Sequence, residues 1–315
     1  MSTSTAQHLC SPAPRPPLRS EVWYSSHMAL LGLRRAENVP GDLYVDSSCI
    51  DCDLCRQISP DTFRREGEQS AVYHQPGASA EQLSALKALV TCPTASIGTA
   101  RHHSAKEAAE AYPERIEGEV YFCGFAAQSS YGASSYLIVR PEGNVLVDSP
   151  RFARPLAKRI AALGGIKLLF LTHRDDVADH NAWAQHFGAE RVMHRDDMGR
   201  ALVIERSLAG QDPIPLAGDL LAIPTPGHTR GHMVLLYRGR FLFTGDHLQW
   251  SEARRSLYAS RGVCWYSWPQ QVRSVERLLD YSFEWVLPGH GRRKHAPAAQ
   301  MREYLTKCLQ QMTRE

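Results

Sequence analysis

Lys167-Leu-Leu-Phe-Leu-Thr-His173-Arg-Asp175-Asp176-Val-Ala-Asp179-His180 is the stretch around which the larger part of this chain is organised. An apolar run of strand length stops abruptly in a packet of imidazoles and carboxylates. One histidine near a strand end is usually structural. Three more strand ends repeat the pattern, however: Thr225-Pro-Gly-His228-Thr-Arg-Gly-His232, Phe243-Thr-Gly-Asp246-His247 and Leu287-Pro-Gly-His290-Gly291. In each of these a glycine precedes the ligand-type residue, which lets the chain turn sharply over the sheet edge. Four such corners in one domain point to a metal site.

Around these corners, short apolar strands alternate with amphipathic helices. Tyr136 to Val139 and Asn144 to Asp148 read as paired strands joined by a Pro-Glu-Gly turn. Arg154 to Ala162 reads as a helix stopped by Gly164-Gly165. Further helices are expected at 181–187, 270–279 and 296–311, and further strands near 220–223, 233–237, 240–243 and 285–287. The pattern fits layered sheets covered by helices.

Upstream the texture differs. Cys49-Ile-Asp-Cys52-Asp-Leu-Cys55 places three thiols two residues apart, and Cys92-Pro93 follows far downstream. Three thiolates so spaced wrap a loop around one iron–sulfur cubane. With no second triplet, Cys92 closes the same cluster, so Cys49, Cys52, Cys55 and Cys92 are the expected ligands of one 4Fe-4S cluster. Zinc sites use paired C-x₂-C units instead. Cys10, Cys123, Cys264 and Cys308 lack such partners and are expected to act as small buried hydrophobes. The run through Pro60 and Phe63 resembles one-cluster bacterial ferredoxins over roughly residues 43–98.

The chain has 315 residues, with 43% hydrophobic and 22% charged residues, which suits about two globular domains. A net charge of +3, spread along the chain, gives no reason to expect nucleic acid or an acidic membrane as a partner. No stretch reaches the ~18 apolar residues of a transmembrane helix. A cytoplasmic location is expected from the oxygen-sensitive cluster. The proposed divisions are a Pro-rich tail at 1–38, faintly like a transit peptide but more simply a flexible segment, a ferredoxin-like unit at 39–100, a linker helix at 101–113 and a large domain at 114–315.

The large domain resembles the metallo-β-lactamase superfamily, most nearly its glyoxalase II-like hydrolases, through the Thr-Pro-Gly-His-Thr-x-Gly-His, Phe-Thr-Gly-Asp and Leu-Pro-Gly-His-Gly segments. The resemblance implies a two-domain α+β and α/β chain: a ferredoxin-like unit followed by an αββα sandwich. It implies that His228 binds a first metal, that Asp179, His180 and His290 bind a second, and that Asp246 bridges them. The family's opening motif, His-x-His-x-Asp-His, is altered here. The step from His173 to Asp179 is two residues longer, and Asp175 stands where an imidazole is expected. With His173 as anchor, Asp175 becomes the substitute ligand of the first metal. A carboxylate there favours a harder ion, so iron or manganese stand beside zinc as the one or two divalent metals.

The implied reaction is hydrolysis of an ester, thioester, lactone or amide of a small-molecule substrate. Asp179 would act as both ligand and catalytic group, and Asp176, or an unligated Asp175, would relay a proton. Two other readings remain open: an iron-dependent redox enzyme of flavodiiron type, exchanging electrons with a donor or acceptor through the cluster, and a non-catalytic redox sensor. His232 and His247 are expected to orient ligands, and His186 and His194 to be surface or satisfied core residues. The aromatic residues from Trp250 to Trp268 are expected to be core more than pocket wall, and Arg254 and Arg255 to hold an anion or to be solvated.

Overall fold

The computed structural model describes residues 29–200 and 202–314. Most of the expected tail, and with it Cys10, lies outside the described residues. Residues 29–38, assigned to that tail from sequence, instead form part of the small unit. Leu30 N donates to Asp46 Oδ2 at 2.8 Å. Buried Asn38 ties three chain segments together. Its Oδ1 accepts from Val45 N and Val72 N, both at 3.0 Å, and its Nδ2 donates to Val45 O at 2.8 Å. Asn38→Ala strands these buried backbone groups, so it should cost about 2–3 kcal/mol, readable as a lowered thermal midpoint with the cluster absorbance retained.

The small unit pairs Leu43–Val45 with Ile97–Thr99, antiparallel. The hairpin Phe63–Glu66/Gln69–Val72 was not anticipated, because its outer residues are polar and its turn is short. The helix expected from Glu81 runs over Ser79–Thr91.

The large unit contains a seven-stranded and a six-stranded sheet. In the first, Glu114–Glu117, Val120–Phe122, Tyr136–Ile138 and Val145–Val147 form an antiparallel meander. Leu168–Phe170, Glu190–His194 and Arg206–Leu208 then add in parallel. In the second, Ile214–Ala217, Leu220–Pro224, Met233–Tyr237 and Phe241–Gly245 meander antiparallel, Trp285–Pro288 joins in parallel, and Lys294–His295 closes the edge antiparallel. Side-chain alternation shows why the sheets stack. Met233, Leu235 and Tyr237 face the first sheet within one apolar core, whereas Val234 and Leu236 lie in a second core with Val275, Met301 and Leu305 of the outer helices. Helices Arg154–Ala162 and His180–Phe187 cover the other side through Leu156, Ile160 and Trp183. The expected αββα layering is therefore present.

The segment 101–113 is not an open connection. Its helix spans only Lys106–Glu110, and Ala108 and Tyr112 are fully buried. They share the main core with Leu54 and Val90 of the small unit. No helix among the described residues is long and apolar enough to cross a membrane.

Candidate metal centre and cluster site

Parallel pairing sets the geometry of the metal centre. Phe241–Gly245 runs beside Trp285–Pro288 with Gly245 opposite Pro288, so Asp246 and His290 emerge at the same sheet end. Leu168–Phe170 delivers His173 from the facing sheet, and Met233 N bonds Thr172 O at 2.8 Å across the sandwich. The loop before Met233 brings in His228.

His228 Nε2 lies 3.4 Å from Asp175 Oδ2 and 3.6 Å from Asp246 Oδ2. His173 Nε2 lies 3.7 Å from Asp246 Oδ2, 4.0 Å from Asp175 Oδ2 and 3.9 Å from Asp176 Oδ2. His290 Nε2 lies 3.6 Å from Asp176 Oδ1 and 3.9 Å from Asp246 Oδ2. Donors about 2.1 Å from one tetrahedral ion sit roughly 3.4 Å apart. Two triads, His173–Asp175–His228 and His173–Asp176–Asp246, each have ligand atoms within 4.8 Å of one another.

The donors also lack other partners. His173 Nε2, His228 Nε2, Asp176 Oδ2 and Asp246 Oδ1 are buried without a hydrogen bond. Orphaned buried donors and acceptors are costly unless something satisfies them. The electrostatics agree. Burial lowers the His290 imidazole, but Asp246 and Asp176 outweigh it and push it up to about 10. Burial raises Asp176, yet His173 and His290 hold it below its ordinary value. Burial and the nearby Asp176 raise Asp246. These buried carboxylates call for positive charge, and the donor set fits divalent metals. Gly289 is required by close approach: a Cβ there would meet Asp176 Oδ2 at 2.6 Å and Asp246 Oδ1 at 2.9 Å.

The second half of this set differs from expectation. Asp179, His180 and His290 join neither triad, but His290 lies close to both Asp176 and Asp246, at 3.6 and 3.9 Å. Asp179 Oδ2 accepts Phe152 N at 2.7 Å. His180 opens the helix His180–Phe187 and is buried, and burial followed by Arg191 lowers its imidazole. The two extra residues, Val177 and Ala178, are the physical reason. Ala178 turns at φ +29°, lifting Asp179 and His180 off the strand end onto the helix start, and Asp176 takes the inner position. Asp176 thus lies within the donor cluster, beside His173 and His290.

Asp148, not singled out from sequence, supports the centre from beneath. Its Oδ1 accepts Thr172 N at 2.8 Å, and Thr172 Oγ1 bonds Asp148 at 2.9 Å and His173 Nδ1 at 3.0 Å. With the hydroxyl proton given to Asp148, Thr172 Oγ1 accepts Nδ1–H and leaves the Nε2 lone pair facing the cluster. The available signal was its place at the end of Val145–Val147, the same strand-end position as the ligands. His232 holds Thr225 Oγ1 at 2.9 Å through Nδ1, and its ring lies 5.1 Å from that of His173 and 5.2 Å from that of His247. Burial keeps both outer rings neutral, His232 well below the ordinary value and His247 down to about 3. His194 is a satisfied core histidine, bonding Gly210 O at 3.0 Å, and His186 is exposed.

Trp250 is core as expected. Trp265 and Tyr266 are not: they are 62% and 45% exposed. Both backbone amides donate to His228 O, at 3.0 and 3.1 Å, and the Trp265 ring lies 6.4 Å from the His228 ring. They form an aromatic rim beside the centre. Arg254 instead lies over the Tyr258 ring at 4.4 Å and reaches Gln311. Cys123 and Cys308 are buried, and Cys264 is half-buried with its thiol on Gly227 O at 3.2 Å.

The four expected cluster cysteines line one small cavity with Val45, Leu54, Ser70 and Ile97. Desolvation pushes the Cys52 thiol up to about 12 and raises Cys55 and Cys92 as well. Thiolates in such surroundings need a cationic group. Four thiols around one cavity suit the four corners of a cubane.

Residues 45–99 match the family model described as the 4Fe-4S single cluster domain of Ferredoxin I. The small unit is a one-cluster ferredoxin domain. The chain is 34% identical over 128 residues to a hydroxyacylglutathione hydrolase of Anaeromyxobacter dehalogenans (strain 2CP-C), covering 38% of this chain and 49% of that one. It is 26% identical over 215 residues to the uncharacterized protein YobT of Bacillus subtilis (strain 168), covering 56% of this chain and 91% of that one. It thus spans about half the length of the hydroxyacylglutathione hydrolase. Among solved structures it is similar to a metallo-beta-lactamase from Pontibacter korlensis, with TM-score 0.49, 16% identity and coverage of 64% and 98% of the two chains. It is also similar to DIM-1 metallo-beta-lactamase, with TM-score 0.48, 15% identity and coverage of 63% and 96%.

Proposed function

We propose that this protein is a metal-dependent hydrolase of ester, thioester or lactone substrates, with the iron–sulfur unit as an integral second domain. The observation that carries this reading is the convergence of unpartnered, buried His and Asp donors at one end of the two facing sheets. His173, Asp175 and His228 would hold one divalent ion, Asp176 and His290 a second, with Asp246 shared. Zinc is the metal proposed, with iron or manganese as alternatives, because three carboxylates accompany three imidazoles. Such ions supply a water of lowered pKa and a Lewis acid for a carbonyl oxygen.

The protein's own part is to fix this set. Asp148 and Thr172 orient His173, and the neutral His232 and His247 add bulk without charge. A relative named hydroxyacylglutathione hydrolase supports an acylated thiol as one substrate class. The exposed Trp265 and Tyr266 beside His228 favour an apolar or aromatic acyl group.

The test joins anaerobic metal and sulfide analysis to a panel of acetyl, longer alkanoyl and aryl thioesters and esters. We expect divalent metal beyond the cluster's iron, and turnover that rises with acyl size. Trp265→Ala should raise KM for aryl and long acyl substrates by roughly 10-fold, about 1–1.5 kcal/mol of aromatic contact, with little change for acetyl. Protein loaded at the His/Asp centre that turns over none of the panel would refute the hydrolase reading. Iron alone at that centre, with oxygen consumption, would support the redox reading instead.

A further inference from the structure

The loop carrying His290 is held from two sides, and both sides lead to the cluster. Arg292 Nε donates to Asp53 Oδ2 at 3.0 Å, and its Nη2 reaches Asp53 Oδ1 at 3.4 Å. Asp53 directly follows the ligand Cys52. Gln57 Nε2 donates to Gly291 O at 3.2 Å from the cluster helix Leu54–Ile58. On the opposite side, Ser134 N donates to Gly289 O and Tyr136 OH to Pro288 O, each at 2.7 Å. The segment supplying Ser134 packs directly on the cluster loop: a Cβ on Gly132 would stand 2.9 Å from Cys52 Cβ and 3.3 Å from its sulfur. Residues on both flanks of His290 are therefore fixed by groups that rest on Cys52 and its neighbours.

The cluster loop holds its shape against local preference. Asp51 and Asp53 both adopt left-handed backbone, at φ +58° and +66°, a conformation that costs most non-glycine residues energy and that Asp tolerates better than most. Asp53 is aimed by Arg56, whose Nε lies 2.5 Å from Asp53 Oδ1 and whose Nη1 reaches Asp51 Oδ1 at 2.6 Å. Ligation of Cys49, Cys52 and Cys55 to one cluster would add a second constraint on this loop.

We infer that Asp53, Gln57 and Arg292 are positioning residues for the metal centre, and that the intact iron–sulfur cluster, acting through them, sets the placement of His290 and so the affinity of the Asp176–His290–Asp246 half for its ion. This rests on the reading above that His290 is a ligand. The His173–Asp175–His228 half makes no such contact with the cluster loop and should be insensitive. The cluster thereby gates occupancy of one half of the centre: protein that has lost its cluster holds the first ion and releases the second.

The experiment is a cobalt(II) titration of full-length, cluster-loaded protein stripped of its other metals, followed by visible absorption. Cluster content is monitored by iron and sulfide. Wild type should take up two equivalents. Arg292→Ala and Gln57→Ala should each keep the cluster and the first equivalent but bind the second about 10–100-fold more weakly, the range for lost orienting contacts. Arg292→Lys should recover part of that loss, since it keeps a charged donor without the fork. Wild type freed of its cluster by oxidation and removal of the released iron should show the same selective loss. Cluster-free Arg292→Ala should lose nothing further, a non-additivity that simple destabilisation would not produce. If Arg292→Ala does not fold, Gln57→Ala and the cluster-free wild type decide the matter. Wild-type affinity for both equivalents in the variants and in cluster-free protein would overturn the positioning role alone. Failure of wild type to bind cobalt at all would overturn the metal reading of the centre, and this inference with it.

Discussion

Asp176→Ala should abolish the proposed hydrolysis, whereas Asp179→Ala should leave it intact. This contrast is the sharpest test of the donor set, because the superfamily resemblance makes Asp179 a ligand and Asp176 only a proton relay. Asp176 is buried within 3.6 Å of His290 and 3.9 Å of His173. Removing its carboxylate takes away a ligand and leaves His290 with Asp246 alone. We expect bound divalent metal to fall by about half and kcat to fall on the order of 10³-fold, the scale of several kcal/mol that a metal supplies to developing charge. Asp179→Ala removes an acceptor from Phe152 N instead, so it should cost about 1–2 kcal/mol of stability with kcat and metal content unchanged. Paired metal analysis, steady-state kinetics and thermal melts on the two variants check both halves. Full metal content in Asp176→Ala, with metal and activity lost in Asp179→Ala, would restore the assignment taken from the family motif.

Why the sequence reading and the structure part company at Asp179 and His180 follows from backbone geometry. His228, Asp246 and His290 were legible because each follows a Gly close behind a strand, and the strands before Asp246 and His290 are paired in parallel with fixed register. His173 and Asp175 were legible because the strand runs straight into them. Asp179 and His180 look like the end of the same motif, but spacing alone does not reveal a turn. The φ +29° step at Ala178 shifts the chain off the strand direction, so the third residue after His173 faces inward and the sixth caps a helix. Asp148 escaped notice for a different reason. It shares the strand-end position but acts through Thr172, and no sequence pattern distinguishes a supporting carboxylate from a surface one.

The layered fold itself was readable from apolar alternation, as Met233–Tyr237 shows with its two faces in two cores. Edge strands such as Glu114–Glu117 were not, since their side chains are exposed or half-buried and carry charge. The division into domains was drawn from composition, and composition is blind to contacts between units. Polar residues 101–113 looked like a spacer, yet Ala108 and Tyr112 are buried in the sandwich core together with Leu54 and Val90. That shared core makes the consequence of losing the cluster larger than a detachable module would suggest.

Cys55→Ser should therefore destabilise the whole chain and not only its first hundred residues. Cys55 is buried, its thiol 3.2 Å from Ser70 Oγ, and it belongs to the small core of Leu43, Val45, Phe63, Val72 and Ala85. Cluster binding is folding free energy for a unit this small, because no preformed site exists in the unfolded chain. Without the cluster, raised-pKa thiols are left neutral around an unfilled space, and the left-handed turns at Asp51 and Asp53 lose their restraint. Leu54 follows directly in sequence and lies in the core of the sandwich, so disorder in the loop exposes apolar surface of the large unit. We expect loss of about four irons and four sulfides and a fall in the thermal midpoint on the order of 10 °C, as several kcal/mol would produce in a domain of this size. Limited proteolysis should cut first within residues 39–100 and then in the large unit. Loss of iron and sulfide with an unchanged melting point would show that the sandwich stands alone, and that its shared core with the small unit contributes little.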